Sequence, residues 1–310
     1  MKKYIIALDG GTTNTRLALI GEEIISRKKL SVGARDGKDT LTAWIKTALT
    51  DFLRDNLLTE DDIKAIAVSG MATSELGLYC VPHVAAPAGA AELSRGAARV
   101  TLPEITRIPF IFIPGVKTFG SNVVSLAEMD IMRGEEVETV AILDKMGLRN
   151  ATLILPGSHM KSVNVENGKI VGFKTTISGE LTRAAAENTI LKNSIGDFFT
   201  RGVDAAWLHT GYDLCDELGM GAALFKLRVA GNFLGATKAK LYSCLLGIVL
   251  HDDVEMIARE AHGTVVVSGS NPFRAAYTEL LSDKVGDLRE VPDELAENAA
   301  AYGAAMIAKI

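Results

Sequence analysis

Asp9-Gly10-Gly11-Thr12-Thr13-Asn14-Thr15-Arg16 places a carboxylate, two adjacent glycines and a run of hydroxyls in one short stretch. Glycines let the backbone approach a phosphate closely and aim N–H groups at it. Thr12 and Thr13 add hydroxyl donors, and Asn14 extends the polar run. Asp9 can hold Mg²⁺ through water, which suits a cation that keeps most of its hydration shell. A plain hairpin turn is the competing reading. Gly157-Ser158-His159 offers matching donors in the other half of the chain. Two such turns facing across a cleft would clamp a polyphosphate from both sides, as positioning and charge neutralisation require in phosphoryl transfer. Lys161 either adds positive charge there or is a solvated strand lysine.

Both turns need strands to deliver them. Residues 4–8 form a continuous apolar run, suited to a strand buried on both faces. Residues 16–20 resume the pattern, Gly21-Glu22 reverses the chain, and residues 23–30 return. Leu41, Trp44, Ile45, Ala48, Leu49, Phe52, Leu53 and Leu57 recur at helical spacing. Residues 63–68 and 110–113 read as strands, the former ending in Ser69-Gly70-Met71. The opening then recurs. Residues 151–155 form a strand, the second turn comes next, and residues 161–165 and 169–175 flank Asn167-Gly168, a strong hairpin signal. Ser178-Gly179-Glu180 opens a helix to residue 191. Setting Gly11-Thr12 over Gly157-Ser158 also sets Gly21-Glu22 over Asn167-Gly168, which predicts an internal duplication. Beyond it the pattern predicts helices over 214–229, 237–251 and 253–261, and a strand over 264–267. A turn at 268–272, a helix to 281, a strand over 288–291 and an alanine-rich last helix over 293–310 complete the pattern. The small-residue stretch 85–91 reads as a surface loop.

A length of 310 residues suggests two domains. Hydrophobic residues at 48% and charged residues at 23% fit a folded protein and exclude a disordered one. A net charge of −5 gives no footprint for nucleic acid. Cys80, Cys215 and Cys244 form no metal-ligand spacing and read as small buried hydrophobes in a reducing compartment. His83, His209, His251 and His262 show no ligand spacing either. The N-terminus lacks a signal peptide's apolar region, and no run reaches the roughly 18 apolar residues that span a bilayer. The expectation is a cytoplasmic protein with no membrane or nucleic-acid partner. P-loop, Rossmann, zincin and α/β-hydrolase motifs are all missing.

Strand-Asp-Gly-Gly-Thr-Thr-Asn-x-Arg is similar to the first phosphate motif of the sugar kinase/heat-shock protein/actin superfamily. Four further stretches narrow the resemblance: Val68-Ser69-Gly70-Met71, Met129-Asp130-Ile131-Met132-Arg133-Gly134-Glu135-Glu136, Leu155-Pro156-Gly157-Ser158-His159-Met160-Lys161 and Ile177-Ser178-Gly179-Glu180-Leu181. Together they resemble the 2-dehydro-3-deoxygalactonokinase family, with Ser268-Gly269-Ser270 as a weaker late match. The resemblance implies an α/β protein of actin-like ATPase fold. Two ribonuclease-H-like lobes, residues 1–128 and 129–310, would flank an interlobe ATP cleft, with the last helix free to return to the first lobe. It implies transfer of the ATP γ-phosphoryl group to the 6-hydroxyl of 2-dehydro-3-deoxy-D-galactonate, with Mg²⁺.

Carried onto this chain, the resemblance gives the phosphates to Gly10, Gly11, Thr12, Thr13, Asn14, Gly157, Ser158, His159 and Lys161, and the metal to Asp9. Gly269 and Ser270 would meet adenine or ribose, with a simple strand-to-helix turn as the competing reading. In related carbohydrate kinases the general base lies before the second turn, at the start of a helix. Asp130 takes that role here with Glu135 in reserve, against an ordinary helix cap. Arg133 would bind the substrate carboxylate bidentately or pair with Glu135 or Glu136. Arg16, Ser69, Gly70, Met71 and Glu135 would complete the sugar site; core packing explains Met71 equally well. The chain departs from the family pattern at Gly10, Ser162 and residues 72–78, where aromatic residues are usual, and those positions bear on the sugar pocket. Three alternatives stay open: a kinase for another sugar or sugar acid, an ATP-binding switch or activator of the same fold, and a sugar-sensing regulator. Scattered cysteines oppose an iron–sulfur activator, and a first strand at Tyr4 leaves no room for a preceding DNA-binding segment. A homodimer is left open.

Overall fold

The apolar run after Lys3 becomes β1 (Tyr4–Gly10), paired antiparallel to β2 (Thr15–Ile20), which pairs with β3 (Ile24–Leu30). This computed structural model describes residues 3–119, 125–196 and 202–310. β4 (Ile63–Gly70) adds parallel to β1. β5 (Val84–Ala85) and β6 (Ala98–Val100) come next, then β7 (Phe110–Phe112), which lies parallel to β4. The main sheet therefore runs β3-β2-β1-β4-β7-β6. β1 and β4 are buried along nearly their whole length, as central strands should be, whereas β3 alternates in burial. α1 (Lys38–Asp55) lays Leu41, Ile45, Leu49 and Phe52 against Ile6, Leu8, Val68 and Phe110. Leu57, expected on that helix face, sits past its end at φ +57 and is 94% exposed. Trp44 is also exposed.

A small second sheet orders β5, β8 (Val116–Lys117) and β9 (Ile131–Met132). The stretch 85–91, expected as a surface loop, instead runs from β5 into α2 (Ala90–Gly96), with Ala88 fully buried and bridged to Ile170. Ala88 and Gly89 at its centre are buried, while Ala85, Pro87 and Ala91 stay exposed. α3 (Glu135–Met146) comes after Gly134, whose φ of +117 suits glycine. Contacts group Met1–Arg149, Glu166–Gly172 and Glu297–Ile310 as one unit, so α3 falls in this unit and not beyond a boundary at 128/129.

The second unit comprises Asn150–Val165 and Phe173–Ala296. Its sheet orders β12 (Lys169–Thr176), β11 (Met160–Glu166), β10 (Ala151–Leu155), β13 (Thr264–Val267) and β14 (Leu288–Glu290). Asn167 and Gly168, at φ 53 and 77, turn the β11–β12 hairpin. β10 and β11 are antiparallel, while β13 joins β10 in parallel and β14 joins β13 in parallel. That arrangement repeats β3-β2-β1-β4-β7, so the predicted duplication is visible as matching topology.

α4 (Ser178–Asn188) begins where Ser178-Gly179-Glu180 predicted. Two helix boundaries differ from expectation. Gly219, at φ +75, separates α5 (Ala205–Leu218) from α6 (Met220–Phe233), where one helix over 214–229 was expected. α7 (Lys238–Glu260) runs unbroken through His251-Asp252, where two helices were expected. Residues 241–250 of α7 are all buried, so it is a core helix and lacks the one-sided periodicity that marks boundaries. α8 (Phe273–Leu281) and α9 (Asp293–Lys309) complete the chain. Cys215 and Cys244 are buried as expected, but Cys80 is exposed. Among the described residues, no helix is long and apolar enough to cross a membrane.

Candidate active site

In the first unit, β1 carries Asp9 opposite Arg16 of β2 and Ser69 of β4. The turn after β1 closes on itself, Gly11 N–H donating to Asn14 O at 2.8 Å. It is held from outside by Ala34 N–H on Gly11 O and Arg35 N–H on Thr12 O, both 3.1 Å. Thr12 and Thr13 are exposed, and their N–H groups have no partner among the described residues. Asn14 Nδ2 donates to Thr13 Oγ1 at 2.8 Å, while Thr15 turns inward to Val32 O. Thr12 and Thr13 are therefore uncommitted backbone donors of this turn among the described residues, whereas Gly11 N–H is committed to Asn14 O.

Glycine is required behind the turn. A Cβ on Gly70, already at φ +70, would lie 2.6 Å from Gly10 O and 3.1 Å from Asp9 Oδ1. A Cβ on Gly10 would lie 2.5 Å from Ala72 Cβ. The departures at Gly10 and at Ala72 are thus one packing solution, since neither position has room for an aromatic ring while the other keeps its backbone. Ser69 is fully buried and its Oγ has no partner among the described residues. Met71 opens the 3₁₀ turn Met71–Thr73 and is half-buried.

Arg16 Nη1 donates to Asp9 Oδ2 at 3.2 Å. Burial nevertheless pushes the Asp9 carboxyl up; Arg16 opposes the shift and the Glu135 charge adds to it. Glu138 is pushed up to about 8 by burial, Asp9 and Glu135. Glu136 is also pushed up to about 8, by burial and then Glu135. Glu136 Oε2 accepts from Gly134 N–H at 2.7 Å, while its buried Oε1 has no partner among the described residues. So α3 brings carboxylates into electrostatic range of Asp9, at a helix N-terminus that favours negative charge. Glu135 Oε2 accepts from Arg133 N–H at 3.1 Å.

Asp130 and Arg133 are placed otherwise than their spacing suggests. Asp130 precedes β9 and not a helix. Its Oδ1 accepts from Ile131 N–H at 2.7 Å, and its own N–H donates to Thr118 Oγ1. The helix that opens nearby starts at Glu135. Arg133 directs Nη1 to Thr73 O at 2.8 Å and to Thr73 Oγ1, and Nη2 to Val81 O at 2.9 Å and to His83. Its guanidinium thereby secures the segment after β4.

In the second unit, β10 delivers Pro156, Gly157, Ser158 and His159, and β11 continues with Leu155 opposite Lys161. Gly157, Ser158 and His159 are exposed, and His159 Nε2 lies 3.2 Å from Glu180 Oε1. Lys161 is 5% exposed, so it is not a solvated strand lysine. α4 abuts this turn. A Cβ on Gly179 would lie 2.1 Å from Gly157 O, and Glu180 N–H donates to Ser158 O at 3.1 Å. Gly269, at φ +83, packs on Pro156, with Ser268 N–H bonded to Ile154 O.

These elements line a cavity of ≈ 510 Å³ that includes Ser158, Gly179, Arg183, Asn188, Ser270 and Phe273. That size is typical of small-molecule sites. Arg183, Asn188 and Phe273 were missed by sequence reasoning. Glu180, Ala184 and Asn188 share one helical face, which was the available signal; Phe273 had none. Among the described residues no group of three or more His, Cys, Asp or Glu could hold a metal ion.

The fold has known counterparts. A 2-dehydro-3-deoxygalactonokinase-like protein from Sinorhizobium meliloti superposes with a TM-score of 0.81 at 23% identity, over 99% of this chain and 98% of that one. The activator of 2-hydroxyisocaproyl-CoA dehydratase from Clostridium difficile, solved with ADPNP bound, superposes at 0.54 with 13% identity, over 98% and 94%. The protein is thus an α/β protein of the actin-like ATPase and sugar-kinase fold. DgoK1 of Rhizobium meliloti (strain 1021), named as a probable 2-dehydro-3-deoxygalactonokinase, is 26% identical over 256 residues, 79% of this chain and 78% of its own. Residues 9–307 match the 2-keto-3-deoxy-galactonokinase family, and the chain belongs to it. It is accordingly a sugar-acid kinase, a phosphotransferase with an alcohol acceptor that uses ATP.

Proposed function

We propose that this protein transfers the γ-phosphoryl group of ATP to the 6-hydroxyl of 2-dehydro-3-deoxy-D-galactonate, with Mg²⁺. The observation that carries the reading is repetition: each unit ends the first strand of the same hairpin-led sheet in an exposed glycine–hydroxyl turn. Catalysis of this kind is positioning plus electrostatics. Thr12 and Thr13 donate to phosphate from the first turn, within the frame of Gly10, Gly11 and Asn14. Gly157, Ser158 and His159 donate from the second, with Lys161 as charge behind them. The cavity takes the nucleoside, with Ser270 on one side and α4 on the other, and Gly269 packed behind Ser270 on Pro156.

Asp9 fits a hydrated Mg²⁺, being an oxygen ligand with like charges close by, and the cation when bound neutralises phosphate charge. Glu135, at the first turn of α3 and in electrostatic range of Asp9, takes the proton of the attacking hydroxyl. Asp130 is the alternative base. Ser69, Gly70, Met71 and Arg16 border the acceptor, and Arg133 acts through the segment it secures. The partner is a small sugar acid and no nucleic acid, and the reaction belongs in the cytoplasm.

The test is ADP formation from Mg-ATP with a panel of 2-keto-3-deoxy acids. Stimulation by the galactonate-derived acid is expected; stimulation by none, with or without futile hydrolysis, would favour the switch. Glu135→Gln should lower kcat by about 10²–10⁴-fold with ATP still bound, and Asp130→Asn by less than about tenfold. The reverse pattern would make Asp130 the base.

A further inference from the structure

The cavity of the second unit has two walls built by different elements. α4 supplies Gly179, Glu180, Arg183 and Asn188; the segment leading into α8 supplies Ser270, and α8 itself its first residue, Phe273. The helices behind both walls are bonded to one buried side chain. Asp253 comes from α7, the buried core helix, and is 3% exposed. Its Oδ2 accepts from Ser178 Oγ at 2.5 Å and from Tyr277 Oη at 2.5 Å. Ser178 is the first residue of α4, next to the Gly179 that abuts the Gly157 carbonyl. Tyr277 lies on α8, one turn beyond Phe273, and is fully buried. Ser178 Oγ is bonded in turn to Thr176 Oγ1 at 2.7 Å.

We infer that Asp253 is a positioning residue that sets the spacing of the two walls of the nucleotide cavity. The inference rests on the kinase reading, because it takes the cavity to hold ATP. A carboxyl group in an apolar core is costly unless it is hydrogen-bonded, and an apolar side chain of similar volume often serves stability as well. Leu245, Val249, Val254 and Ile257 of the same helix are apolar and buried in the core. What such side chains cannot do is hold a hydroxyl of α4 and a phenol of α8 on one oxygen atom. Asp253 does not line the cavity, so its effect passes through Ser178 and Tyr277. Loss of either bond frees one wall to shift, and Gly179 transmits a shift of α4 to the Gly157 carbonyl it presses on.

The test compares nucleotide affinity with turnover. Asp253→Leu should raise Kd for Mg-ADP, measured by calorimetry, and KM for ATP by about tenfold or more. KM for the sugar acid and kcat at saturating ATP should stay within about threefold. Asp253→Asn keeps one oxygen that can accept both donors and should restore ATP affinity to within about threefold of the unsubstituted protein. Tyr277→Phe and Ser178→Ala each remove one of the two bonds to Asp253, the latter together with the Thr176 bond, and should each raise Kd by about threefold to tenfold. They decide the matter if Asp253→Leu does not fold. Unchanged nucleotide affinity in all soluble variants, with only the melting temperature lowered, would overturn the inference while leaving the kinase intact. Failure of the unsubstituted protein to bind Mg-ADP would overturn the kinase reading and this inference together.

Discussion

The two glycine–hydroxyl turns sit on the same scaffold but in opposite surroundings. The first comes directly after Asp9, and the charge of Glu135 bears on that carboxylate. The second carries no carboxylate of its own and borders a cavity closed by α4 and the segment before α8. A duplicated sheet has thus been given two different ends: one with acidic side chains in electrostatic range of its carboxylate, and one bordering a cavity. The difference arises from the segments packed behind each turn. In the first unit the packing of Gly10 on Ala72 and Gly70 on Gly10 O closes the space behind the turn. In the second, Gly179 lets α4 approach the turn and form a wall.

These unlike surroundings predict separable losses. Asp9→Asn should lower kcat by about 10³-fold or more, because the interaction it removes matters most as charge develops. Binding of ADP without Mg²⁺ should change by less than about threefold; equal loss of that binding and of turnover would erase the division of labour between the turns. Next in size is Gly179→Ala. Its Cβ, 2.1 Å from the Gly157 carbonyl, must displace backbone and not a flexible side chain. KM for ATP should rise by about tenfold, with KM for the sugar acid unmoved. A rise in both would show that the second turn also shapes the acceptor site.

The smallest effect concerns stability. Burial, with Glu135 beside it, raises the Glu136 carboxyl from 4.5 to about 8. Within that window the folded protein holds a proton that the unfolded chain has released. Stability therefore falls as pH rises from 4.5 to about 8. Glu136→Gln should flatten this part of the melting-temperature profile, by at most about 1.4 kcal/mol per pH unit. An unchanged slope would place the acidity of the first unit elsewhere.

The hairpins, the glycine turns and the strands that deliver them were legible because each signal lies within a few adjacent residues. Asn167-Gly168 has the positive φ values its residue types favour. Strands β5, β8 and β9 were not legible, since two residues cannot show a period. Without them, Asp130 looked like the start of a helix when it is the approach to a strand. α7 concealed itself for the opposite reason: burial on all sides removes the polar face whose loss would mark an end.

What the sequence determined alone was the chemistry of short segments: two glycine–hydroxyl turns, one carboxylate at the mouth of the first, and a repeated hairpin to carry them. The tertiary structure decided which groups surround them. It brought α3 carboxylates into range of Asp9, turned Arg133 onto Thr73 and Val81, and joined Ser178 and Tyr277 to Asp253 across 75 and 24 residues of chain. Turn chemistry depends on dihedral preferences of neighbours along the backbone. Partnership depends on packing among distant segments, which no local pattern encodes.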